Sequence, residues 1–103
     1  MDTWRCEVHC HQEDEVTVLT VAGRVGSDGS SLLANELKQQ IDAGRRRLRV
    51  DLTGVDYMNS AGLQALEAAA GHLRETGGTL SLSGVREPVR LVLEMAGLQK
   101  LRE

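Results

Sequence analysis

The chain has 103 residues, a formal net charge of −3 and 41% hydrophobic residues that are almost all aliphatic, which fits one domain able to bury ~65% of its unfolded surface without disulfide or metal staples. Phe is absent, and Trp4 and Tyr57 are the only aromatic residues, so a base-stacking platform is hard to build, and the acidic balance argues against nucleic acid or an anionic membrane as partner. No apolar run approaches the ~20 residues of a membrane span and the first residues lack a signal-peptide core, so no membrane insertion and a bacterial-type cytoplasm are expected.

Trp4, Cys6, Val8 and Cys10 alternate with Arg5, Glu7, His9 and His11, the period of a half-buried strand. On such a strand Cys6 and Cys10 lie ~13 Å apart, beyond the ~7 Å between Cα atoms that a disulfide tolerates. The run Cys6-x-x-His9-Cys10-His11 therefore reads as two small buried thiols on a strand rather than as a metal or disulfide motif. Gln12-Glu13-Asp14 forms a turn, and a Val- and Thr-rich strand runs from Glu15 to Ala22, making a hairpin. Residues Gly23 to Gly29 read as a loop. Ser27 or Asp28 caps a helix to about Ala43, with Leu33, Leu37 and Ile41 on one face and Gly44 as its stop.

A strand from Arg47 to Leu52 places Leu48, Val50 and Leu52 on one side and Arg47, Arg49 and Asp51 on the other. After a polar turn, a helix opens at Ser60 with Leu63, Leu66, Ala70 and Leu73 on one stripe, and it ends near Gly77-Gly78. The strand Thr79 to Ser83 alternates as its predecessor does. A last helix begins at Glu87-Pro88 and ends at Gly97, and Leu98 to Leu101 are expected as a short edge strand. The order ββαβαβα gives parallel strands joined by right-handed crossovers. Strands covered by helices on both faces are apolar throughout. These alternate, so the helices should cover mainly one face of the sheet.

The residues around Ser60 carry most of the functional argument. A helix N-terminus presents unpaired N–H groups and a favourable dipole to negative charge. Asn59 or Ser60 can also be a plain N-cap. No base reaches Ser60: His9 and His11 belong to the first strand, and His72 lies ~18 Å along the helix. With no nucleophile elbow either, catalysis by this serine is not expected and modification of it stays open. Arg45, Arg46, Arg47 and Arg49 read as a solvated basic face. The glycines form no phosphate-binding loop, and Asp51 and Asp56 alone make no metal site. No cofactor is expected and an enzyme is the least expected class.

The run from Arg49 to Leu66, Arg-Val-Asp-Leu-Thr-Gly-Val-Asp-Tyr-Met-Asn-Ser-Ala-Gly-Leu-Gln-Ala-Leu, resembles the signature of STAS domains, in particular bacterial anti-sigma factor antagonists. Val21-Ala22-Gly23-Arg24, the Gly77-Gly78 strand entry and the helix Leu91 to Leu98 extend the resemblance over nearly the whole chain. It implies an α/β fold with a mixed sheet of four to five strands, an N-terminal hairpin followed by parallel βα units, in a single domain spanning residues 1–103. It also implies a partner switch. The unmodified protein binds an anti-sigma factor that is a serine kinase of the GHKL type, phosphorylation at Ser60 releases that partner, and a serine phosphatase resets the cycle. The implied partner surface comprises Met58, Asn59, Ser60, Ala61, Leu63, Arg24 and Asp28, with Met58, Ala61 and Leu63 as its apolar rim. Three family positions differ: Asn59 replaces the acidic residue before the phosphoacceptor, and Arg24 and Gly26 replace acidic residues of the preceding loop. The alternatives within the family are a non-switching STAS subunit of a phospholipid-transport ATPase complex and a signalling adaptor.

Overall fold

The computed structural model describes residues 5–102. Trp4, expected on the first strand, lies outside them. The elements are β1 (Glu7–Glu13), β2 (Val16–Val25), α1 (Ser27–Asp42), β3 (Arg47–Met58), α2 (Ser60–Glu75), β4 (Thr79–Ser83), α3 (Glu87–Met95) and a 3-10 turn (Gln99–Leu101). The sheet runs β1-β2-β3-β4, with β1 antiparallel to β2 and the other pairs parallel. This is the expected mixed sheet of hairpin plus βα units.

Side-chain alternation decides the layering. Thr17, Leu48 and Leu80 share one face, as do Leu19, Val50 and Leu82 one step further along. All six are buried, and the five aliphatic ones join Leu33, Leu37, Leu66, Leu73, Val89 and Leu93 from the helices or their flanks in the core. The opposite face carries Arg49, Asp51, Ser81 and Ser83, none of them buried. Helices thus cover one face, as the alternation requires. Val18 is buried on the polar face, flanked in register by His11 and Arg49.

Several local expectations are corrected. β1 continues through Gln12 and Glu13, where Gln12 donates to the Thr17 hydroxyl at 2.8 Å. The hairpin turn is therefore confined to Asp14 and Glu15, with Asp14 in the left-handed region that Asp tolerates. Cys6 is half-buried and Cys10 exposed rather than both buried, because β1 is the sheet edge. The expected loop at residues 23–29 is instead the end of β2 and the start of α1, and the expected polar turn after Leu52 is strand. Residues Ala22–Val25 pair with Gly54–Met58 after two register shifts. These shifts let Val55 and Met58 return to the core at a three-residue step. β4 pairs only with residues 47–51 of β3, and α3 packs against β3.

Gly26, not Ser27 or Asp28, is the N-cap of α1, and its helix start has no side-chain cap. Residues 98–101 form no edge strand; Gln99–Leu101 is a 3-10 turn, and only Arg102 bridges to Leu82. Buried Leu98 anchors this segment to the core. The expected helix stops hold: the N–H groups of Arg45, Gly78 and Leu98 reach back to the carbonyls of Gln40, Leu73 and Leu93 at 3.1, 2.6 and 2.8 Å, the 6→1 bond of the Schellman motif.

Candidate functional site at the start of the second helix

The mouth of α2 is fixed from two directions. The Asn59 side-chain oxygen accepts the Gly62 N–H at 2.9 Å, satisfying one of the helix's unpaired donors. The Asn59 N–H donates to the Val25 carbonyl at 2.9 Å, tying the helix start to the end of β2. Asn59 is extended and Ser60 is the first helical residue. Ser60 and Ala61 are exposed and Leu63 is half-buried. The first turn carries no acidic residue, so no carboxylate of that turn neutralises the positive end of the helix.

Gly62 explains how close the helix sits. A Cβ there would lie 2.7 Å from Met58 Cγ and 2.9 Å from a Val25 methyl. Met58 is 4% exposed, so this expected rim residue lies beneath the surface and supports it. The apolar atoms that do reach the surface come from Ala61, Leu63 and Tyr57, the last 41% exposed.

Arg24 comes to the same edge because it pairs in register with Tyr57. Its guanidinium lies 4.3 Å from the centre of the Tyr57 ring, a cation–π stack. Asp28 is exposed in the first turn of α1. Arg24 and Asp28 line an open groove of about 580 Å³ with Arg5, Cys6 and Leu32. The residues expected for the partner surface thus gather where β2 and β3 end and α1 and α2 begin. The Arg24–Tyr57 stack escaped the sequence reading. Its only local signal was one aromatic three positions before Ser60.

Several titratable groups away from Ser60 are engaged elsewhere. Asp51 accepts from the Thr53 hydroxyl at 2.6 Å and the Thr53 N–H at 2.9 Å, and these bonds hold its carboxyl below the usual range. His9 and His11 sit beside Glu7 and Glu13 at 3.4 and 3.0 Å, on β1. His11 and Arg49 hold Glu13 low. Burial pushes the thiols of Cys6 and Cys10 up, with Glu7 and Glu36 respectively adding to it, so neither is an activated nucleophile. Arg46 reaches the Thr76 carbonyl, Arg47 pairs with Glu15 and Arg49 with Glu13, so the basic run braces the sheet end opposite Ser60. Among the described residues no three potential ligands cluster for a metal. No helix among them is long and apolar enough to cross a membrane.

A family model described as Mlab, STAS domain matches residues 8–103. The Bordetella bronchiseptica protein BtrV, which carries the name of an anti-sigma factor antagonist, is 37% identical over 84 residues, 82% of this chain and 72% of BtrV. The fold is also that of the anti-sigma factor antagonist SpoIIAA. Its unphosphorylated form aligns with a TM-score of 0.84 at 16% identity, covering 94% of this chain and 86% of that one. The phosphorylated form from Bacillus aligns with a TM-score of 0.77 at 15% identity, covering 94% and 89%. With the hairpin-led mixed sheet and a serine opening α2, these likenesses establish that the chain belongs to the STAS-domain family of anti-sigma factor antagonists.

Proposed function

We propose that this chain is a phosphorylation-controlled partner switch. In the unmodified state the surface around Ser60 binds an anti-sigma factor that is also a serine kinase of the GHKL type. Phosphorylation at Ser60 releases that partner, and a serine phosphatase restores the binding state. The chain itself performs no catalysis in this cycle.

The observation that carries the reading is an exposed serine at the first position of a helix whose capping duty is already met by Asn59. Because Asn59 caps, the Ser60 hydroxyl is not needed for the fold and is available to a kinase. A phosphate adds a charge of about −1.5 to −2 at neutral pH. The helix end offsets some of it, by ~0.3–1 kcal/mol for a surface charge. A partner surface fitted to Ala61, Leu63 and Tyr57 has no matching cation, so the complex weakens while the domain stays folded. The SpoIIAA fold is known in both unphosphorylated and phosphorylated forms, which supports a modification that leaves the architecture intact.

Two measurements test it together. Intact mass of the protein from its native host, with fragmentation, should find a species heavier by about 80 Da at Ser60. Calorimetry with the cognate kinase should give tight binding for wild type and Ser60→Ala and at least about tenfold weaker binding for Ser60→Asp. Equal affinity of both variants, with no phosphate under any growth condition, rejects the switch. That result favours the non-switching subunit of a phospholipid-transport ATPase complex, which needs no phosphate.

A further inference from the structure

Among the described residues β1 is an open edge of the sheet, pairing with β2 on one side only. All its residues except half-buried Val8 are exposed. The strand reads Glu7-Val8-His9-Cys10-His11-Gln12-Glu13, the same outward from Cys10 in either direction apart from Val8 and Gln12. Open edges pair with other strands unless something blocks them. This one has no proline and no lysine.

We infer that β1 pairs antiparallel with β1 of a second copy, on a two-fold axis through Cys10. The symmetry of an antiparallel homodimer makes residue 10 face residue 10, and residue 9 face residue 11. Cys10 then meets Cys10 of the second copy, His9 meets His11, and Glu7 meets Glu13. Each imidazole therefore lies across from an imidazole and diagonal to a carboxylate. The Glu7–Glu13 contact, made twice by the two-fold axis, sets carboxylate across from carboxylate in this register. It is softened because Glu13 is already paired with Arg49 at 2.8 Å and with His11 at 3.0 Å. Any slip by one residue sends histidines to opposite faces of the joined sheet, so the matched sequence selects this register.

The helix layer is compatible with the join. α1 packs on both β1 and β2, on the β1 side of the helix layer, so the join brings the two α1 helices to the same face of the continuous sheet. The flank that α1 turns toward β1 includes half-buried Leu32, which lines the groove beside Cys6. The Ser60 mouth lies where β2 and β3 end, away from the β1 edge, while the groove lined by Arg24 and Asp28 adjoins the join through Cys6 and Leu32.

Sedimentation equilibrium and mild copper-phenanthroline oxidation test the inference on the intact chain. Wild type and Cys6→Ser should both show a reversible dimer and both be trapped as a covalent dimer on oxidation. Cys10→Ser should still dimerise but not be trapped, because a Cys6–Cys6 pair would sit ~27 Å apart in this register. The double variant His9→Lys/His11→Lys sets cations across from one another at exposed positions and should weaken the dimer about tenfold or more. A chain that stays monomeric up to ~1 mM overturns the inference. So does a dimer still trapped without Cys10, or one indifferent to the two lysines. Because sedimentation reads the dimer without the cross-link, a disulfide formed by collision of monomers counts against it.

Discussion

Asn59 accepts the Gly62 N–H at 2.9 Å while Ser60, between them, stays exposed. The cap is thereby carried by Asn59 and leaves the neighbouring Ser60 hydroxyl exposed. Removing the cap in Asn59→Ala should cost ~1 kcal/mol of stability, a fall in melting temperature of ~4–8 °C for a domain this size. Asn59→Asp keeps an acceptor and adds a charge the helix end favours, so it should equal or exceed wild type. Urea denaturation of the three proteins checks this; an Ala variant as stable as wild type would show that the bond carries no energy.

The same helix end predicts that a negative charge at Ser60 does not harm the fold. Ser60→Asp should be as stable as wild type or more so by up to ~1 kcal/mol at low salt, with the gain fading as salt rises. Denaturation at two ionic strengths measures it. A clear loss of stability would mean that weakened partner binding by this variant reflects damage rather than charge.

Asp51 contributes a pH dependence of known sign. Bonds from the Thr53 hydroxyl and N–H lower its folded-state pKa. A group depressed on folding stabilises fully above its unfolded pKa, about 4, and loses that contribution as pH falls through the folded value. The stability difference between wild type and Asp51→Asn should hold between pH 5 and 7 and shrink progressively below ~4. A difference constant down to about pH 2.5 would mean the Thr53 bonds do not depend on the carboxylate's charge.

The sequence was legible where period and burial agree. Leu33 and Leu37 in α1, Leu66 and Leu73 in α2, and Leu48, Val50 and Leu52 in β3 follow fixed periods and are all buried. The ends of β2 and β3 were not legible. Thr53-Gly54-Val55-Asp56 has turn composition, and its pairing with Ala22 and Gly23 is flanked by register shifts that break the period of two. Ser60 and its cap were readable locally. The inward turn of Met58 and the stack of Arg24 on Tyr57 were not, since both depend on a β2–β3 register between residues more than thirty positions apart.

Gly62 offers the sharpest test of how the site is built. On helix propensity alone, Gly62→Ala should stabilise α2 by up to ~1 kcal/mol. The added methyl would lie 2.7 Å from Met58 Cγ and 2.9 Å from Val25 Cγ1, inside a core with no slack on the Val25 side, where exposure is 0%. Overpacking of this kind costs ~1–3 kcal/mol, so the net effect should be destabilising. Met58 is the more flexible neighbour, and shortening it should relieve the clash. In a double-mutant cycle, Gly62→Ala should therefore cost less in a Met58→Ala background than in wild type, with a coupling of ~0.5–3 kcal/mol. Additive effects would place the strain elsewhere. The clash also pushes on the turn that holds Ser60, so the single variant should lose partner affinity even with the serine intact, and the double variant should regain part of it.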